Sequence, residues 1–212
     1  MKNEKKILYV LLTAILGVLV LNQVQITGMY NAMNSNMYGT LNSEKAGQTN
    51  SNAGTISFDE AVKEALPTGV PETYGNELGV SFDNVEESLS ILMMLDGDLY
   101  EEGNLKYEDL TEEQKERYVL AGSSISCEFC CDAVQIVFEG GQPACGCSHS
   151  AAMRGLAKYL LINHGEMSDE KILEELTKWK SVFFPKEMVD RYIELQGGSV
   201  RSSVLPDMVG GC

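Results

Sequence analysis

Five of the chain's six cysteines fall in two short patches, Cys127-Glu-Phe-Cys130-Cys131 and Cys145-Gly-Cys147-Ser-His149, with thirteen residues between them. The second patch also carries one of the only two histidines. Thiolate and imidazole are the soft and borderline donors that close zinc, copper(I) and iron–sulfur sites. Cys127, Cys130, Cys131, Cys145, Cys147 and His149 are therefore the candidate metal ligands. A tetrahedral zinc takes four of them, with Cys131 the spare or a second-metal ligand, whereas a copper(I) or two-metal cluster has room for all six. Zinc ranks first and copper(I) second. An iron–sulfur cluster ranks third, because it is sensitive to oxidation and hard to assemble outside a membrane.

Other uses of the same thiols stay open. Outside the cytoplasm cysteines tend to pair, and Cys127–Cys147 and Cys131–Cys145 are the imaginable disulfides of a stapled interaction domain. Against pairing, five clustered thiols leave one over, and a histidine joins them at ligand spacing. Cys127 and Cys130 also have the C-x-x-C spacing of a redox dithiol, but that motif belongs in a βαβ setting that the sequence lacks. No phosphate-cradling glycine loop, nucleophile elbow or H-E-x-x-H occurs. A catalytic zinc keeps a position free for water, and this donor set more than fills a tetrahedron. A closed structural or metal-carrying site is the expectation, with no catalytic residue assigned.

The elements that must position these donors read mostly as helices, giving a mainly α (α+β) fold. Ser57-Phe-Asp-Glu60 and Thr111-Glu-Glu-Gln114 are capping boxes, and Asp83 and Ser168 stand where caps would open two further helices. A helix from about Ser150 to His164, with Gly165 behind it, follows the second cysteine patch, and Pro185 begins the last helix. Val134-Gln-Ile-Val-Phe138 with Gly140-Gly141 predicts one β-hairpin between the two patches. The order of C-x-x-C knuckle, hairpin and helix start resembles the treble-clef zinc domains, with C-x-C-x-H where those have C-x-x-C. The positive end of a helix dipole would favour a thiolate at Cys147. His164 lies fifteen residues beyond His149, roughly 22 Å along a helix, so the two cannot share one ion. His164 reads as structural.

The ends of the chain differ from this domain. Residues 1–6 form a basic cytoplasmic segment, and 7–26 run without charge or proline, long enough for a transmembrane signal anchor. Lys2, Lys5 and Lys6 before the span put residues 27–212 outside the cell membrane. Residues 27–55 are rich in Asn, Ser, Gly and Thr and read as a flexible linker. Met29, Met33 and Met37 recur every fourth residue there; they read as apolar filler near the membrane rather than copper ligands. The metal-binding helical domain is 56–196, and 197–212 is a flexible tail. Without Lys2, Lys5, Lys6 and Glu4, the 16 basic and 31 acidic residues become 13 and 30, a net charge of −17. Such a surface repels nucleic acid, leaving the membrane as the one assigned partner and protein partners unknown.

Pro67-Thr-Gly-Val-Pro71, Glu77-Leu-Gly-Val-Ser-Phe82, the two cysteine patches, Ala151-Ala-Met-Arg154-Gly155-Leu156 and Thr177-Lys-Trp-Lys-Ser-Val-Phe-Phe-Pro185 together resemble a group of uncharacterised archaeal single-pass membrane proteins. The likeness spans most of residues 66–190. It implies a membrane-anchored protein with a cysteine–histidine site, and it brings no activity with it. C-G-C with a following histidine is also similar to bacterial exported proteins bearing P-C-Y-C-G-C, a motif this chain lacks in full.

Overall fold

Side-chain caps set half of the helix starts in a computed structural model of the chain, which describes residues 56–199 and 204–211. Eight α-helices follow in order: α1 Phe58–Ala65, α2 Gly75–Leu78, α3 Val85–Met93, α4 Glu112–Ser123, α5 Glu128–Cys131, α6 Ser148–Asn163, α7 Asp169–Phe183 and α8 Pro185–Leu195. The fold is mainly helical, and no sheet forms among the described residues. Ser57 and Ser168 each accept a backbone N–H three residues on, and Thr111 with Gln114 completes a reciprocal capping box. Asp83 behaves differently from expectation. Its carboxylate accepts the Gly69 N–H at 3.0 Å, tying down the preceding loop, and Asn84 takes the N-cap place without a side-chain bond.

The core gathers around Trp179 and Phe183 of α7, Leu92 of α3 and Met153, Leu156 and Leu160 of α6, each buried. Tyr74 joins it from the loop before α2. Its hydroxyl accepts the Trp179 indole N–H at 2.8 Å and donates to the Glu175 carboxylate at 3.0 Å, so both aromatic polar ends are satisfied inside. Helix α6 crosses the end of α3 so closely that a Cβ on Gly155 would lie 2.5 Å from the Leu92 carbonyl oxygen. That contact explains a glycine in the middle of a helix. Helix α1 packs on α8 through Ala61, Val189 and Ile193.

The expected hairpin is reduced to a turn. Phe138 N–H bonds to the Gln142 carbonyl and Ala144 N–H to the Ile136 carbonyl, but the pairing stops at one isolated antiparallel bridge, Val137 with Pro143. The backbone N–H groups of Ile136 and Val137 both go to the Gly122 carbonyl, and both side chains are buried while Val134 is 82% exposed. Two consecutive inward side chains break the alternation a strand needs. No described helix is long and apolar enough to cross a membrane; the anchor expected at 7–26 and the linker at 27–55 lie outside the described residues. Residues 204–211, inside the stretch read as a flexible tail, run along α6 to α8. Val209 N–H donates to the Phe183 carbonyl at 2.9 Å, and Leu205 packs with the α1–α8 cluster.

Candidate metal centre

The first cysteine patch is itself a single helical turn. Cys127 is the N-cap of α5, its carbonyl accepts the N–H groups of Cys130 and Cys131, and Asp132 ends the turn in the left-handed region at φ 53°. Its two middle residues fasten it to the core. The Glu128 carboxylate lies 3.0 Å from both Lys180 Nζ and Arg191 Nη2. The Phe129 ring packs on Phe184 with the Lys180 and Arg191 cations each 5.0 Å from its centre. Cation–ring contacts and a shared carboxylate thus fasten the turn through Glu128 and Phe129.

The second patch is positioned from within α6. Arg154 donates from Nη1 to the Cys145 carbonyl at 2.8 Å and to the Ile136 carbonyl at 3.3 Å, and from Nε to Asp96 at 2.7 Å. Lys158, one turn on, donates to Asp96 and Asp98, each at 2.6 Å, and to the Leu105 carbonyl. The Arg154, Lys158 and Asp96 side chains are fully buried. Cys147 is the N-cap of α6, and its sulfur accepts the Ser150 N–H at 3.4 Å, the position a serine oxygen usually fills.

These two supports bring the sulfurs together. The Sγ atoms of Cys127, Cys130, Cys131 and Cys147 all lie within 4.8 Å of one another. Cys127 and Cys147 are 3.4 Å apart and buried; Cys131 and Cys145 are 2.7 Å apart at the solvent side. Cys145 stands outside the four-sulfur group, next to it, with the Cys147 N–H 3.5 Å from its sulfur. His149 is fully buried between Phe183 and Phe184. Its Nε2 bonds to the Val209 carbonyl at 2.8 Å, and a carbonyl can only accept, so Nε2 carries the hydrogen. The ring also bonds to Cys147, and His149 is not among the four grouped residues. His164 bonds to Glu77 at 3.0 Å, far from the thiols in sequence and role.

Tetrahedral zinc with sulfur at about 2.3 Å needs sulfurs about 3.8 Å apart, and the group of four comes close to that spacing. Its members are not all thiols. Cys127, Cys131, Cys145 and Cys147 are free, whereas Cys130 is disulfide-bonded to none of those four. Cys130 can act as a thiolate ligand only once that bond is reduced. Cys212 lies outside the described residues.

The buried pair is electrically polarised. The Cys127 thiol donates toward the Cys147 sulfur, which with bonds from His149 and Ser150 pulls Cys147 down to about 3. Cys127 is pushed well up for the same reason and by burial. Partial desolvation and the bond to Cys145 push Cys131 up to about 11. In the buried pair Cys127 is thus held as proton donor to Cys147, the arrangement a metal replaces when it takes both as thiolates.

Sequence reading did not foresee Asp96, Arg154, Lys158, Glu128 or Phe129 as supports of the site. A signal was present. Arg154 and Lys158 are the only charged residues in α6, four apart and without an acid on the same helix, an arrangement that asks for acidic partners elsewhere. No family of known proteins, curated protein or solved structure matches the chain in comparison.

Proposed function

We propose that the chain is a membrane-anchored, extracytoplasmic metal-binding protein whose thiolate site is built on Cys127, Cys131 and Cys147, with Cys130 as fourth ligand when reduced. The convergence of four sulfurs within 4.8 Å carries the reading. Zinc is the favoured ion, because four thiolates suit a tetrahedral site with no water position. Copper(I) is the second, supported by the three group members that are free thiols, a soft set. Cys145 and His149 serve the site from its edge. The exposed side at Cys131 suits a site that accepts and hands on its ion as well as one that holds the fold together. The single anchor at 7–26 and the outward domain rest on the uncharged span and the lysines before it.

The test uses the full-length chain in mild detergent, reduced, stripped by chelator and reloaded with zinc. Elemental analysis should give about one zinc per chain, lost in Cys127→Ser and Cys147→Ser and kept in Cys212→Ser. Less than about a tenth of an equivalent in the fully reduced protein contradicts metal binding. Protease added to intact cells should remove the domain; its survival while a known external protein is digested contradicts the topology.

A further inference from the structure

We infer that Cys131 and Cys145 form a thiol–disulfide exchange site at the mouth of the cluster, acting on a small or protein disulfide, and that its oxidation withdraws Cys131 from the metal set. Geometry separates this pair from the other free thiols. Cys127 and Cys147 are buried beneath it, while Cys131 is exposed and Cys145 half-buried, 2.7 Å away. The two belong to different supports, α5 and the loop held by Arg154, so the pair can close without unwinding either. The Cys147 N–H holds the Cys145 sulfur in place at 3.5 Å. Gly146, between the two cysteines of the second patch, is exposed, and a Cβ there would meet nothing within 4 Å. An incoming disulfide therefore has an open approach, which Cys127 and Cys147 lack.

The reaction balances without another reagent. Cys131 gives up its thiol proton and its sulfur attacks one sulfur of the incoming disulfide, forming a mixed disulfide and releasing the other half, which takes up that proton as a thiol. The Cys145 thiolate then attacks the Cys131 sulfur, forming Cys131–Cys145 and releasing the second half. Two protein thiols are oxidised, the incoming disulfide is reduced to two thiols, and the protons leave with those thiols. Cys145 is thus the resolving cysteine, and it stands outside the four-sulfur group, so closure takes away one ligand and leaves the buried pair untouched. This withdrawal rests on the metal reading; the exchange itself does not.

The experiment equilibrates the reduced full-length chain with mixtures of reduced and oxidised glutathione, traps free thiols by alkylation and maps linkages by mass spectrometry, with zinc measured in parallel. Cys131–Cys145 should be the first new disulfide, ahead of Cys127–Cys147, and Cys145→Ser should accumulate a glutathione adduct on Cys131. Cys131 and Cys145 remaining alkylated after Cys127–Cys147 has formed, or no adduct in Cys145→Ser, overturns the exchange site. Zinc should be lost in step with the new linkage; zinc retained on chains already linked through Cys131–Cys145 overturns the withdrawal. Absence of zinc from the fully reduced chain instead defeats the metal reading, while the linkage map still decides the exchange site.

Discussion

The middle and the start of α6 make an instructive pair. In its middle, buried Arg154 and Lys158 meet buried Asp96 and the partly exposed Asp98 in a network where only Arg154 Nη2 is left without a partner among the described residues. At its start, Cys147 belongs to a group of four sulfurs, three of them free thiols, of which Cys131 is exposed. The first cluster holds charges at fixed geometry and has nothing to gain from change. The second holds donors that are merely hydrogen-bonded to one another, a weak use of thiols so closely gathered. The ionic cluster serves architecture, and through the Arg154 bond to the Cys145 carbonyl it fixes the loop on which the chemistry sits.

Breaking the ionic side should have the largest effect on folding. Asp96→Asn leaves buried Arg154 without its charge partner and Lys158 with Asp98 alone, and should cost about 3–5 kcal/mol, read from denaturant unfolding of the metal-free chain. A loss under about 1 kcal/mol would mean that the network is wet and loose. Cys147→Ser should do the reverse, since serine is a good N-cap. The metal-free chain should unfold within about 1 kcal/mol of the parent, while zinc-dependent stabilisation disappears. Gly155→Ala, at the α3–α6 crossing, should cost about 1–3 kcal/mol through the clash with the Leu92 carbonyl and should leave zinc stoichiometry unchanged.

The smallest expected effect is at Glu77, an exposed carboxylate bonded by Tyr159 and His164, which hold it below the ordinary range. A depressed carboxyl stabilises the fold above its unfolded value, about 4.3, and that contribution fades as pH falls through the folded value. Glu77→Gln should therefore lower Tm slightly at neutral pH and lose less Tm than the parent on acidification from about pH 5 to 3. Parallel acid curves for the two proteins would show that the contact is not coupled to folding.

The same contrast explains what the sequence disclosed. Caps such as Ser57, Thr111 and Ser168 act over three residues, so their pattern is local and readable. Cysteine spacing marked the site, because few other uses bring so many thiols together. The two imaginable disulfides, Cys127–Cys147 and Cys131–Cys145, are not formed: all four cysteines are free thiols, though the members of each pair lie close in space. What escaped is long-range. Asp96 lies 58 residues from Arg154, and the Val209 carbonyl that occupies His149 lies 60 residues from it. His149 had ligand spacing, but spacing does not say which ring nitrogen is already engaged. The hairpin failed because residues 134–138 read as strand by type, while the Gly122 carbonyl took two successive N–H groups from them.

Cobalt(II) titration of the reduced full-length chain tests the central claim most directly, since the intensity of sulfur-to-metal charge transfer counts thiolate ligands. One cobalt per chain should bind with the absorption of a tetrahedral, all-sulfur site, displaced by zinc and weakened by one ligand's share in Cys131→Ser but not in His149→Gln. An octahedral spectrum without charge-transfer intensity, or a full loss of binding in His149→Gln with Cys131→Ser unaffected, would contradict a four-sulfur metal site.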